Sequence, residues 1–265
     1  MVDGAPPLQN RAFEVEGRPD LPAVLLVHGL GGGPHEVQRL GEAIAARGLT
    51  AHGILLPGHE IGPSRMPASA WADWHGALAS RYEALRARFA TVHLVGFSTG
   101  ATLSLLFAAD AGITGRLVLL APFVRVFRPR LSPIAPERLV RALRFVSEVP
   151  RLPPPLRDRA TRDEVARCTT FRTFNLDATR SALDLVARAV DAAPRVRAPT
   201  LVVQGARDSV VDPAGARDLA ARLPGGGRLA WMTRSDPLVT LDEDRAEVLR
   251  EVVAFLDAGP ADRSA

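Results

Sequence analysis

The sequence predicts an α/β domain built on a mostly parallel, doubly wound sheet. Short apolar runs alternate with segments of helical periodicity along most of the 265 residues, a pattern typical of a parallel sheet covered by helices on both faces. One stretch, residues 122–194, interrupts this alternation with short helical patches and no clear strand. We expect it to form a small helical cap over the carboxyl edge of the sheet, inserted into a core of residues 1–121 and 195–265.

The individual elements follow from apolar spacing. Compact apolar runs bounded by turn residues indicate buried strands, and apolar residues at intervals of three and four indicate helices. The predicted strands are residues 23–27, 54–56, 92–95, 117–120, 201–203 and 229–232. The predicted helices are residues 37–47, 71–89, 101–109, 214–223 and 245–256.

Composition excludes several function classes. The calculated pI of about 10.6 is that of a nucleic-acid binder, but every one of the 33 basic residues is arginine and the net charge is only +4. We therefore predict no nucleic-acid partner. Cys168 is the single cysteine, which excludes an internal disulfide. The fragment His59-Glu60 has proline where the second histidine of a zinc motif would stand, so we predict no metal site, and no cofactor.

The first residues show no basic stretch followed by an apolar run, and no segment approaches the ~20 apolar residues that a membrane span needs. We therefore expect no secretory signal, no transmembrane segment and a cytoplasmic location.

A reactive serine is predicted at Ser98. Residues 96–100 read Gly-Phe-Ser-Thr-Gly, the G-x-S-x-G pattern that presents a nucleophile on a tight turn between a strand and a helix. A serine hydroxyl needs a base, and in this architecture the base is a histidine late in the chain. All six histidines lie at or before residue 93. The sequence therefore predicts a reaction and lacks one of the groups that the reaction normally uses.

A glycine-rich loop, residues 28–34, follows the first predicted strand and allows two interpretations. A dinucleotide loop needs a third glycine where Pro34 stands, and an acidic residue at the end of the next strand, which here ends in Pro57. An oxyanion loop needs only backbone N–H groups that face the developing negative charge. We favour the oxyanion loop, with the N–H groups of Leu30 and Thr99 as its donors.

Five motifs in order give the chain a resemblance to the α/β-hydrolase superfamily, and within it to bacterial carboxylesterases and monoacylglycerol lipases with a small cap. They are His-Gly-Leu-Gly at 28–31, Leu-Pro-Gly-His at 56–59, Trp-Ala-Asp-Trp at 71–74, the serine motif, and the segment 200–213. The resemblance implies that Asp208 is the triad acid. It also implies a histidine at residue 237, where this chain has Pro237.

The resemblance implies a carboxylesterase- or lipase-like serine hydrolase that acts on a small-molecule ester through Ser98 and is impaired by the missing histidine. The alternative is a non-catalytic member that binds a hydrophobic or anionic ligand, or a partner. His35 and His59 are the candidates for a replacement base. Residues 122–180 carry thirteen arginines against six carboxylates, which fits a basic lid for an anionic ligand or an acidic membrane surface, or solvated helix faces. Phe123, Val124, Val126 and Phe127 are candidates to line an acyl pocket.

Overall fold

The computed structural model describes residues 6–60, 62, 64–128, 135–152, 156–169, 171–224 and 227–258. The two ends of the predicted core, and Arg130 among the cap arginines, lie outside these ranges. Within the described ranges, every helix falls short of the combination of length and apolarity needed to cross a bilayer.

Seven strands form the main sheet, in the order β1-β3-β2-β4-β5-β8-β9. All neighbours are parallel except β1, which pairs antiparallel with β3 at one edge. The strands of this sheet are β1 Phe13–Val15, β2 Ala23–Val27, β3 Thr50–Ile54, β4 Val92–Phe97, β5 Leu117–Leu120, β8 Thr200–Gly205 and β9 Arg228–Met232. The predicted mostly parallel sheet is confirmed.

The described residues form eight α-helices. They are α1 His35–Ala45, α2 Trp71–Arg86, α3 Thr99–Asp110, α4 Pro136–Ala142, α5 Arg159–Cys168, α6 Leu176–Ala192, α7 Pro213–Arg222 and α8 Arg245–Asp257. A short 3₁₀ helix, Ala193–Arg195, follows α6. Two apolar clusters cover the two faces of the sheet: one includes residues of α2, α3 and α6, and the other includes residues of α1 and α8.

The strands differ from the sequence prediction at three places, one of which is β1, which no predicted strand covers. The second core strand is Thr50–Ile54, four residues before the predicted start, because the apolar run that follows leaves the sheet toward Pro57. The stretch predicted to lack strands contains an antiparallel pair, β6 Glu148–Pro150 with β7 Thr173–Asn175. Each of these strands has only three residues, so neither builds a periodic pattern. The helix α6 packs along α3. The boundaries of the cap, residues 122–194, stay a prediction.

Candidate active site

Ser98 lies at the junction between β4 and α3 with its backbone in a strained conformation. Its φ of 52° and ψ of −119° place a non-glycine residue in a region that costs roughly 1–3 kcal/mol. The two glycines of the motif allow the turn to close, because a Cβ on Gly96 would lie 2.5 Å from the Cα of Ala101, and one on Gly100 would lie 2.5 Å from the carbonyl oxygen of Val27. The tight turn that the motif predicts is therefore present.

Ser98 is half-buried, and among the described residues its hydroxyl has no hydrogen-bond partner. The backbone of Ser98 is held firmly: its N–H donates to Leu120 O at 2.8 Å, and its carbonyl accepts from Phe123 N at 3.2 Å. The turn is thus fixed by its main chain while the side-chain oxygen stays available.

The predicted oxyanion donors lie at the ends of β2 and β4. In the described part of the chain, neither Leu30 N–H nor Thr99 N–H donates to an acceptor. The neighbouring N–H groups are occupied, since Gly29 N donates to Glu36 Oε2 at 2.8 Å and Gly31 N donates to His59 Nε2 at 3.0 Å. The loop is therefore anchored on both sides of Leu30.

Asp208 follows β8 and is 2% exposed. Its Oδ1 accepts the N–H groups of Val210 and Val211 at 2.9 and 2.8 Å, and its Oδ2 accepts Gln204 Nε2 at 3.0 Å. Burial raises the pKa of Asp208 to about 6 in spite of these bonds, with a smaller raising effect from the charge of Asp236. The carboxyl group is thus held in one orientation and is largely ionised at neutral pH.

Pro237 is buried in the segment after β9, beside the end of β8. A Cβ on Gly205 would lie 2.7 Å from Ser235 O and 2.9 Å from Asp236 O, so this segment passes directly over the strand that carries Asp208. Arg157 Nε donates to Asp236 Oδ2 at 2.9 Å. The geometry therefore brings the segment of Pro237 and the loop of Asp208 together, as the resemblance implied for the histidine and the acid.

Within the part of the chain that the structure describes, which includes all six histidines, no histidine nitrogen forms a hydrogen bond with Ser98 Oγ. Both ring nitrogens of His28 are occupied, by Gly29 O at 2.8 Å and Leu56 N at 3.0 Å. Both nitrogens of His59 are occupied too, by Pro57 O at 3.1 Å and Gly31 N at 3.0 Å. Burial lowers the pKa of each of these two rings. These two histidines thus fix the loops around the serine.

His35 is the other candidate base. Its Nδ1 bonds Asn10 Oδ1 at 3.3 Å, and burial lowers its pKa to about 4. His52 and His93 lie within β3 and β4, and His75 contacts Trp71 and Phe107. The proton of Ser98 has no imidazole acceptor in this arrangement.

Glu36, in the first turn of α1, is a group that the motif analysis missed. Its side chain is buried, and a Cβ on Gly29 would lie 3.3 Å from Glu36 Oε2 and 3.1 Å from Ser98 Cβ. Burial raises the pKa of Glu36 to about 7, against the lowering effects of the Gly29 N–H and of the charge of Arg151. The helical spacing could have revealed it, because Glu36, Leu40 and Ile44 follow one another at intervals of four and share the buried face.

Arg151 and Phe174, also missed, come from the stretch between β5 and β8 and cover the glycine loop. The ring of Phe174 packs against Gly31, because a Cβ on Gly31 would lie 2.5 Å from Cε1 of Phe174. The guanidinium carbon of Arg151 lies 5.3 Å from the centre of that ring. Its Nε and Nη1 are buried without a hydrogen-bond partner among the described residues. One arginine of the basic stretch thus lies over the loop.

The predicted acyl-pocket residues follow β5, and one of them, Phe123, contacts the backbone of Ser98. Phe123 N–H donates to Ser98 O, and Phe123, Val124 and Val126 border a cavity of about 130 Å³ together with residues of α4 and α6. Phe127 is 38% exposed. Whether an acyl chain occupies this cavity stays a prediction.

In the described part of the chain, no group of three or more histidine, cysteine or carboxylate side chains could hold a metal ion.

The family model described as "Serine aminopeptidase, S33" (Hydrolase_4) matches residues 19–234. The chain belongs to the Hydrolase_4 family. A carboxylesterase of Bacillus subtilis (strain 168) is 23% identical over 237 residues, which cover 89% of this chain and 92% of the relative. A thermostable monoacylglycerol lipase of Bacillus sp. (strain H-257) is 38% identical over 85 residues, covering 32% and 34% of the two chains.

Solved structures agree on the fold of this Hydrolase_4 member. The monoacylglycerol lipase of Paleococcus ferrophilus superposes with a TM-score of 0.79 at 21% identity, covering 92% of this chain and 97% of the lipase. The α/β-hydrolase fold and the resemblance to esterases and monoacylglycerol lipases are therefore confirmed.

Proposed function

We propose that the protein hydrolyses carboxylic esters of small molecules, with Ser98 as the nucleophile, and does so slowly because Pro237 stands where the triad histidine belongs. The observation that carries this proposal is the turn at Ser98. Its backbone is strained, and among the described residues its hydroxyl has no hydrogen-bond partner and the two neighbouring N–H groups have no acceptor. The names of the carboxylesterase and lipase relatives support the choice of an ester as substrate.

In the proposed mechanism, Ser98 Oγ attacks the ester carbonyl carbon. The N–H groups of Leu30 and Thr99 hold the negative charge that develops on the carbonyl oxygen, and the alcohol leaves to give an acyl-enzyme. Water then attacks the acyl carbon and releases the acid. Asp208 would orient a histidine if one were present. An enzyme lacking one triad member typically keeps about 10³- to 10⁴-fold catalysis over water, supplied by the oxyanion hole and by binding.

The test is the hydrolysis of an activated short-chain ester such as p-nitrophenyl butyrate, whose leaving group needs little acid assistance. The wild type should turn over below about 10 per second, the usual level for enzymes, and Ser98→Ala should abolish this turnover. Ser104→Ala, in the helix that follows Ser98, is the matched control, because Ser104 Oγ is buried and makes no hydrogen bond among the described residues. Turnover that survives Ser98→Ala would refute the proposal.

We also propose that residues 122–194 act as a cap over the ester site. Arg151 and Phe174 over the glycine loop support this role. A cytoplasmic location also remains a proposal.

A further inference from the structure

The proposed reaction leaves the proton of Ser98 without an acceptor, because no histidine bonds the hydroxyl. A carboxylate can accept such a proton if it reaches the hydroxyl directly or through one water molecule, and if it is ionised at the working pH. The question is therefore which carboxylate lies closest to the nucleophile. Asp208 is bonded on both oxygens to groups of its own loop and strand.

Glu36 meets the geometric requirement. A Cβ built on Gly29 would lie 3.1 Å from Ser98 Cβ and 3.3 Å from Glu36 Oε2, so both side chains border the space that a side chain at residue 29 would fill. The 2.8 Å bond from Gly29 N–H fixes Oε2 at this place. Among the described residues Ser98 Oγ and Glu36 share no direct hydrogen bond, and the two distances from Gly29 bring Ser98 Cβ and Glu36 Oε2 close enough for one water molecule to bridge the hydroxyl and the carboxylate.

The position of Glu36 is also tied to the segment that should have supplied the histidine. Thr240 Oγ1 donates to Glu36 O at 2.5 Å, and Thr240 lies three residues after Pro237. The first turn of α1 therefore lies between the oxyanion loop and the segment of Pro237. The carboxylate of Glu36 thus lies beside the proposed nucleophile, in a site that lacks the triad histidine.

We propose that Glu36 is the general base for Ser98, acting through one water molecule. This inference rests on the proposed ester hydrolysis. As Oγ bonds to the ester carbon, the Ser98 proton passes to the water and a proton of that water passes to Glu36. The ester C–O bond then breaks, and Glu36 returns the proton to the leaving alcohol. In the second half a water attacks the acyl carbon, its proton goes to Glu36, and the proton returns to Ser98 as the acid leaves.

Electrostatics support this assignment. A general base works best when its pKa lies near the ambient pH, and burial raises the pKa of Glu36 to about 7. The groups that face it are the N–H groups of Gly29 and Gly33 and the charge of Arg151, all of which lower its pKa. An ionised Glu36 would repel the oxyanion formed beside it. Taking up the serine proton at that moment removes the negative charge from Glu36 as the oxyanion forms.

The decisive variant is Glu36→Gln, which keeps an oxygen that accepts the Gly29 N–H but cannot take a proton. In the hydrolysis of p-nitrophenyl butyrate at pH 8, we expect kcat to fall at least ~100-fold with little change in KM. The wild-type rate should rise with pH through about 7, and the variant should lack that rise. Glu42→Gln is the matched control on the same helix, where the carboxylate pairs with Arg39 away from the serine.

The same substitution in a Pro237→His background separates a base from a structural part. If Glu36 is the base, an imidazole at residue 237 takes over its work, and Glu36→Gln should then cost at least tenfold less than it does in the wild type. Equal losses in both backgrounds, or a wild-type pH profile unchanged by the substitution, would overturn the role of Glu36. Wild-type turnover that does not depend on Ser98 would instead overturn the proposed function itself.

Discussion

Replacing Pro237 with histidine is the perturbation that examines the arrangement around Ser98 most fully. The partners of a new imidazole are already in place: the segment of residue 237 crosses β8 at Gly205, and Asp208 lies just beyond that strand. Asp208 is buried and held by three hydrogen bonds, so the acid needs no reorganisation of its own loop. The substitution therefore adds the imidazole to a site in which Ser98, the proposed nucleophile, and Asp208, the proposed triad acid, are already held by hydrogen bonds.

General-base assistance is worth roughly 10²- to 10⁴-fold, or about 2.7 to 5.4 kcal/mol of activation free energy. Glu36, as proposed above, already supplies about 100-fold of this assistance, so we expect the imidazole to add about 10- to 100-fold over the wild type. The gain is limited further because Gln204 Nε2 already bonds Asp208 Oδ2 at 3.0 Å and competes with the imidazole N–H for that oxygen. Loss of the rigid proline costs at most about 1 kcal/mol of folding free energy, which the fold should tolerate.

The assay is kcat/KM for p-nitrophenyl butyrate from pH 5 to 9, together with the rate at which a fluorophosphonate labels Ser98. Both rates should increase, with a pH profile that rises through the histidine range. Asp236 should be kept in this variant, because Asp236→Gly would break its bond with Arg157. A folded Pro237→His protein with no gain in either rate would refute the inference that Asp208 and Ser98 are positioned for a triad.

Three further predictions concern the frame of the site. Gly100→Ala should cost about 2 to 3 kcal/mol of unfolding free energy, because its Cβ would lie 2.5 Å from the Val27 carbonyl oxygen. Gly76→Ala, with open space on the exposed side of α2, should instead stabilise the protein by up to about 1 kcal/mol. Denaturant unfolding of both variants measures these changes, and equal effects would contradict the prediction. Asp208→Asn should remove most of the kcat/KM gained by Pro237→His; retention of the whole gain would show that Asp208 does not orient the new base. Glu36 binds its proton more tightly in the folded state, with a pKa of about 7 against a reference value of 4.5, so its contribution to stability is full below the lower pKa and is lost as pH rises to the higher one. Relative to Glu36→Gln, the wild type should lose roughly 3 kcal/mol of unfolding free energy between pH 4 and pH 8, and a constant difference would contradict the raised pKa.

The sequence predicts the central elements well because their signals are local. The strands over residues 23–27 and 117–120 are continuous apolar runs, and they appear with the predicted bounds. The strand Thr50–Ile54 is fully buried but contains a threonine, a histidine and a glycine, so apolar runs alone do not reveal it. Its place is decided by pairing with β1 and β2, which no local pattern records.

The candidate site divides in the same way. The turn at Ser98 is predictable because each glycine of the motif lies where another part of the backbone comes too close for a side chain. The place of Pro237 beside Asp208 follows only from the family resemblance, since the two residues are far apart in sequence and meet through the order of strands. Glu36 and Arg151 belong to no motif. Their importance comes from burial and from what lies across from them, which only the folded chain defines.

The central claim, that Ser98 is a nucleophile in a site with weakened proton transfer, is tested most directly by trapping the acyl-enzyme. Weak base assistance slows the attack of water on the acyl-enzyme, so an activated ester should leave its acyl group on the protein. We predict that mass spectrometry of the protein mixed with p-nitrophenyl butyrate finds one butyryl group, located on Ser98 and absent from Ser98→Ala. Ester turnover with Ser98 unmodified throughout, or with the same acyl group on the alanine variant, would contradict the account.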